Sequence, residues 1–205
     1  MKTPNYIFRT VGGPPAKPRF RRAILIPLLL ALLGLAGFTA PAVRADPGIS
    51  KEYEIKAVFL LNFIQFTDWP ESAFASSNAP LRIGVLGDDA FAATVEKAVR
   101  GEAVRGHKIA VMQAKKTEEL KDCQAVFVGK SERPRNVQIL AAYKNLPVLT
   151  VGESEDFATQ GGIFNFFVKN SKVHFEVNAG EARRKGLRIN AQLFNLGVIV
   201  ETKED

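Results

Sequence analysis

Cysteine is almost absent from this sequence, and histidine is scarce. Cys123 is the only cysteine among 205 residues, so no internal disulfide can form and stability must come from a hydrophobic core. The two histidines, His107 and His174, lie far apart in sequence, and neither has a metal-ligand partner at suitable local spacing. We therefore predict no metal site and no cofactor, and we interpret Cys123 as a semi-buried structural thiol.

A general excess of positive charge is also missing, although the whole chain has a formal charge of +7. The first 45 residues contain seven lysines and arginines and no acid, which leaves 21 bases and 21 acids in residues 46–205. A neutral domain has no surplus cations with which to release phosphate counterions along a groove. This balance argues against nucleic acid as a partner.

The basic amino-terminal segment has the order of a signal peptide. Arg21 and Arg22 precede residues 23–38, an uncharged apolar run that is short for a membrane span and is interrupted by proline and glycine. Val43 and Ala45 supply the small residues of a cleavage site. We predict a signal peptide over 1–45, export, and a single domain over 46–205; the alternative is an uncleaved anchor.

The mature part predicts an α/β fold. A long helix over 51–67, ended by Pro70, precedes short aliphatic runs that alternate with helical stretches. These runs lack polar alternation, as strands of a parallel sheet covered on both faces do. We expect a Rossmann-like three-layer sandwich with a mostly parallel sheet. The strands are predicted at 81–86, 108–112, 125–128 and 148–151, and the helices between them at 90–99, 117–121 and 136–143.

The pattern changes after Gly161 and Gly162. Two runs with period-two alternation, 163–169 and 172–178, are joined by Asn170 and Ser171, which predicts a carboxy-terminal antiparallel hairpin. A short helix over 179–185 and a closing helix over 190–201, capped by Asn190, complete the prediction.

Motifs for catalysis are incomplete. Gly129-Lys130-Ser131 imitates the end of a phosphate-binding loop, but Gln124 stands where that loop needs its first glycine. The segment 152–156 resembles a nucleophile elbow, but its fifth residue is Asp156 instead of glycine. We predict no catalytic residue, and a hydrolase that uses Ser154 with either histidine is the least favoured hypothesis.

A series of landmarks resembles the YfiR-like family over about 52–200. Individually the pieces are weak, but their order and spacing are specific. They are the segments 57–63, 69–70, 81–87, 106–107, 147–150, 161–162, 175–178 and 187–189, with Cys123 and Phe157 between them.

The resemblance implies a periplasmic repressor that binds the periplasmic part of an inner-membrane diguanylate cyclase, or a similar membrane signalling protein, and lowers cyclic di-GMP, which disfavours biofilm formation. It also leaves a homodimer open, because the family's best-studied type is a dimer with disulfide-linked cysteine pairs. This chain departs from that pattern. Cys123 matches one family cysteine, but Gly84 stands at its partner's position and the second pair is missing.

Three function hypotheses follow. A repressor acting by protein binding would place its contacts on the hairpin and its flanks. The residues chosen for this role are Trp69, Phe164, Phe166, Glu176, Asn178 and Arg188. The alternative is a periplasmic small-ligand sensor with a site near Gly87, Asp88 and Gly152, beyond the strand ends. Asp88 could instead cap the next helix. The exported hydrolase comes third.

Overall fold

The computed structural model describes residues 47–203; the predicted signal peptide over 1–45 therefore lies outside the described residues. Helices and strands alternate through most of this range. The α-helices are α1 (Pro47–Gln65), α2 (Asp89–Ala98), α3 (Asn136–Ala142), α4 (Ala179–Arg184) and α5 (Ala191–Phe194). The strands are β1 (Thr67–Asp68), β2 (Leu81–Leu86), β3 (Ala103–Val104), β4 (His107–Ala114), β5 (Ala125–Val128), β6 (Leu149–Gly152), β7 (Phe164–Lys169), β8 (Lys172–Val177), β9 (Arg188–Ile189) and β10 (Val198–Ile199). Within 47–203, none of these helices combines the length and the hydropathy that a membrane span requires.

Eight strands form the main sheet, in the order β10-β8-β7-β6-β5-β2-β4-β3. The five adjacent strands β4, β2, β5, β6 and β7 form the centre of this sheet, and each of them pairs in parallel with its neighbour. β7 and β8 pair antiparallel across Asn170 and Ser171, which both have positive φ angles (52° and 58°), as a tight two-residue turn requires. The mixed α/β fold with a mostly parallel sheet is the predicted class.

Both faces of the central sheet are covered. All four residues of β5 are buried. Ala125 and Phe127 belong to one apolar cluster and Val126 and Val128 to another. Because successive side chains of a strand point to opposite faces, the two clusters lie on opposite sides of the sheet. This two-sided burial explains why the strand is an unbroken apolar run in the sequence.

The first helix ends earlier than the sequence predicts. We expected it to reach residue 67 and to be ended by Pro70, but α1 stops at Gln65. Thr67 instead donates from Oγ1 to the Phe63 carbonyl at 2.6 Å and pairs with Ile189 in the small β1–β9 sheet. Because Thr67 pairs with a distant strand, the helix is two residues shorter at this end than predicted.

The predicted closing helix over 190–201 is wrong in length. Asn190 caps α5 as expected, because its side chain accepts from the Gln192 amide, but the helix ends at Phe194. Residues 198–199 then form β10 beside β8. A Cβ at Gly197 would come within 2.3 Å of the Phe175 ring, so a residue without a side chain is needed where the chain passes this ring to reach β10.

Cys123 was predicted to be a semi-buried thiol; it is fully buried and lies next to Gly84. A Cβ at Gly84 would come 3.2 Å from the Cys123 Sγ and 2.9 Å from Cδ1 of Leu120. Burial raises the pKa of the Cys123 thiol to about 11. The thiol is therefore a poor nucleophile at neutral pH, because little of it is thiolate.

We expect Gly84→Cys to form a disulfide with Cys123. The closed loop should make the oxidised protein about 3–4 kcal/mol more stable than its reduced form. The gain over the natural chain should be smaller, since a new Cβ displaces Leu120 and overpacking costs about 1–3 kcal/mol. Urea unfolding of the oxidised and reduced forms measures both quantities. Gly84→Ala supplies the same Cβ without sulfur. Two free thiols after oxidation at alkaline pH would contradict the proximity of these two positions.

Candidate functional site

A cleft of about 880 Å³ opens at the carboxyl ends of β2, β5 and β6, where α1 and the β7–β8 pair close over it. We call it the strand-end cleft. This edge of a parallel sheet is where α/β proteins usually bind their ligands. Its lining residues are Glu52, Tyr53, Lys56, Gly87, Asp88, Lys130, Ser131, Arg133, Glu153, Ser154, Glu155, Asp156, Asn165, Phe166, Phe167, Val168 and Glu176.

A buried ion pair forms one wall of the strand-end cleft. Lys56 of α1 donates from Nζ to Glu153 Oε2 at 2.7 Å, and each side chain is only 5% exposed. Glu52, one turn earlier, contacts the same ammonium at 2.5 Å. The other oxygen of Glu153 accepts from the Lys130 amide at 3.0 Å. The pair therefore ties α1 to the loops after β5 and β6.

Asp88 has a structural role at the mouth of the same cleft. Its Oδ1 accepts from the Phe91 amide at 2.8 Å and caps α2, as the sequence favoured. Its Oδ2 accepts from the Tyr53 hydroxyl at 2.5 Å. Burial, reinforced by this hydrogen bond, raises the pKa of Tyr53 above its usual value. Asp88 thus holds two helices together at the cleft.

The residues suggested for a ligand site are partly brought together. Gly87 and Asp88 line the strand-end cleft. Gly152 does not, because it is buried and a Cβ there would come within 2.3 Å of the Phe157 ring. Its lack of a side chain makes room for Phe157, so the expectation that Gly152 approaches a ligand is corrected.

Asn165 carries an unused acceptor in the wall of the cleft. It is 3% exposed and donates from Nδ2 to Glu176 Oε2 at 3.0 Å. Within the described part of the chain, its Oδ1 has no hydrogen-bond partner. Buried acceptors are normally satisfied. The described contacts therefore leave this acceptor without a donor.

The serine and histidines of the hydrolase hypothesis do not meet. Ser154 is buried, and its hydroxyl accepts from Asn136 at 2.8 Å. His107 is hydrogen-bonded to the Ala79 carbonyl at 2.6 Å and His174 is stacked on Phe167. The contacts described for Ser154 include no general base, so the structure gives this hypothesis no support.

Three of the residues predicted to contact a partner are in the interior. Phe164 and Phe166 are buried and pack against Phe63 of α1, with ring centroids 3.9 Å and 5.4 Å away. Asn178 is buried, where it donates to the Ala158 carbonyl and caps α4. They are corrected to core residues, because α1 covers the two phenylalanines and the Asn178 side chain makes its hydrogen bonds inside the fold.

The other three predicted contact residues reach the surface. Arg188 is 86% exposed at the side chain and lies 3.9 Å from Asp68. Glu176 is half-buried beside Asn165. Trp69 is half-buried too, and its indole N–H donates to the Gln124 carbonyl at 3.1 Å. These three stay available for an external contact.

Sequence reasoning missed Lys56, Glu153 and Asn165. The available signal was Lys56 within an otherwise apolar run, because a lysine on a buried helix needs an acidic partner. The identity of that partner could not be inferred, since Glu153 lies 97 positions away in sequence.

An apolar stripe on α1 faces solvent. Ile55 and Val58 are 47% and 56% exposed, and together with Glu54, Phe59 and Asn62 they line a shallow groove of about 300 Å³. We call this surface the α1 stripe. Its residues recur at helical spacing, and large exposed aliphatic side chains that lie together are typical of contact surfaces.

The comparisons with known proteins agree with the predicted resemblance. The sequence pattern of the family described as YfiR/HmsC-like matches residues 53–198, which is more than two thirds of the chain. No curated protein matches the chain.

Proposed function

This chain belongs to the YfiR/HmsC-like family, and we propose that it represses cyclic di-GMP signalling by binding the periplasmic part of an inner-membrane diguanylate cyclase. The family consists of periplasmic regulators of cyclic di-GMP signalling. The predicted signal peptide of residues 1–45 would deliver the domain to the compartment where that partner is exposed.

The α1 stripe is the observation that supports this proposal most directly. Ile55 and Val58 leave aliphatic surface in water on a helix whose other faces are well packed. Burying such surface against a protein is favourable by about 25 cal/mol per Å². An aliphatic stripe with few charges suits a protein partner. Among the described residues, neither Ile55 nor Val58 is part of the apolar core.

Polar residues would add specificity around the contact. Arg188 is paired with Asp68 only at 3.9 Å and is mostly in solvent, so its guanidinium is free to meet a partner's carboxylate. Glu176 and Trp69 are retained as further contact residues.

Repression by binding needs no chemistry on a substrate. A protein that binds the inactive state of the cyclase more tightly than the active state shifts the equilibrium by that difference in affinity. We accordingly assign no catalytic group.

Replacing Ile55 and Val58 together with aspartate should weaken partner capture at least roughly tenfold, because two exposed apolar anchors are replaced by charges that must be desolvated on binding. Stability should change by less than about 0.5 kcal/mol per site, since both side chains are exposed. Capture from solubilised membranes and intracellular cyclic di-GMP in a complemented deletion strain are the measurements. The double variant should leave cyclic di-GMP as high as the deletion does.

Val137→Asp is the matched control, because Val137 is an equally aliphatic and 65% exposed residue on α3. It should repress like the natural chain. Full repression by the Ile55→Asp, Val58→Asp variant would contradict the proposed surface. Loss of a homodimer with repression retained would instead assign the α1 stripe to self-association.

A further inference from the structure

We propose that the strand-end cleft binds a small organic cation with N–H groups, that is, a protonated primary amine. The site stands on three independent features of the cleft: its charge, an unsatisfied buried acceptor, and an aromatic side chain beside that acceptor. It does not rest on the proposed partner contact.

The lining of the cleft is acidic on a chain whose predicted mature part is neutral. Three basic side chains, Lys56, Lys130 and Arg133, stand against twice as many acids. The acids are Glu52, Asp88, Glu153, Glu155, Asp156 and Glu176. Lys56 pairs with Glu153 at 2.7 Å and Arg133 with Glu155 at 2.6 Å, and Lys203, which lies outside the lining, pairs with Asp156 at 2.9 Å. With Lys203 included, the acids still exceed the bases by two. The remaining negative potential favours a cation.

Asn165 adds a specific hydrogen-bond acceptor to this general electrostatic attraction. Because its Nδ2 donates to Glu176, its Oδ1 must face elsewhere, and that atom has no donor among the described residues. A buried carbonyl without a partner costs the fold free energy that a bound N–H group would recover. The Glu176 carboxylate lies beside it, so an ammonium there would meet a neutral and a charged acceptor.

One aromatic side chain completes the same wall. Phe167 lies two positions from Asn165 on β7, so the two side chains share a face of the strand, and Phe167 lines the cleft. Phe167 is half-buried and therefore partly accessible. Methylene groups of an alkylamine pack well on such rings, and aromatic faces attract cations. A ligand that is charged at its end and apolar along its stem fits these groups together.

The test uses protein purified from the periplasm after expression of the full chain, at physiological salt. The probe is 1,4-diaminobutane, and two compounds serve as controls: tetramethylammonium, which carries charge without N–H groups, and 1,4-butanediol, which has a similar chain without charge. We expect only the diamine to raise the melting temperature with concentration and to give saturable heat in calorimetry.

Variants locate the site. Asn165→Leu and Glu176→Gln should each weaken binding of the diamine roughly tenfold, as loss of a charge-assisted hydrogen bond predicts. Glu176→Gln keeps the side-chain shape and so tests the site even if Asn165→Leu fails to fold. Glu96→Gln, an exposed acid on α2 that does not line the cleft, should bind as the natural chain does.

Other outcomes overturn the proposal. Equal stabilisation by tetramethylammonium would reduce the effect to unspecific attraction. Saturable binding of Ca²⁺ or Mg²⁺ without the diamine would make the cleft a metal site, and full affinity in Glu176→Gln would place the diamine elsewhere. None of these results affects the repression experiments on the α1 stripe, so the two proposals fail separately.

Discussion

Replacing Phe164 with alanine is expected to lower the free energy of unfolding by about 3–5 kcal/mol, the usual cost of removing a buried phenylalanine. Phe164 is fully buried and stacks on Phe63 with centroids 3.9 Å apart, so its loss leaves a cavity between the sheet and α1. Phe175 also contacts this ring edge to face, at 5.9 Å. Urea unfolding of the purified protein measures the effect.

Val168→Ala is the control on the same strand, because Val168 is 52% exposed. It should change stability by less than about 0.5 kcal/mol. If Phe164→Ala were as stable as the natural chain but failed to capture a membrane partner, Phe164 would be a surface contact and its position in the core would be wrong.

Replacing Lys56 with methionine is expected to destabilise the protein by about 3 kcal/mol. The change removes one partner of a buried ion pair and leaves Glu153, with a side chain only 5% exposed, without its cation. Removing one partner of a buried ion pair usually costs about 3–5 kcal/mol. We expect the lower end of this range, because Glu153 still accepts a hydrogen bond from the Lys130 amide. Chemical unfolding at neutral pH gives the difference.

A double-mutant cycle separates the pair from its surroundings. Lys56→Met combined with Glu153→Gln should lose less stability than the two single changes added together, because no uncompensated charge remains buried. Lys51→Met, an exposed lysine of the same helix, should be nearly neutral. Strict additivity would show that Lys56 and Glu153 are not coupled.

Much of the parallel sheet could be predicted because its strands carry their own signal. The runs at 81–86 and 125–128 coincide with β2 and β5. Apart from Arg82 and Gly84 in the first run, both consist of apolar residues without polar alternation, so the local sequence itself indicates burial on both faces. Asp88 as a helix cap was equally predictable, since a cap depends on residues only three positions apart.

Predictions failed where distant contacts override local preference. The segment 190–201 has helical spacing, but Val198 and Ile199 pair with β8, and Gly197 lets the chain pass over Phe175. The hairpin phenylalanines have the alternation of a strand with one apolar face. Alternation does not say whether that face meets a partner or the chain's own helix, and here α1 covers it.

The sequence by itself determined the α/β class, the family, and the charge division between the first 45 residues and the rest, because these depend on composition and on order along the chain. Only the tertiary structure decided which apolar residues face solvent on α1 and which groups meet in the strand-end cleft. Lys56 and Glu153 are 97 positions apart, and Asn165 has an unsatisfied oxygen only in its folded surroundings. Such relations arise when separate elements pack together, and no local pattern encodes them.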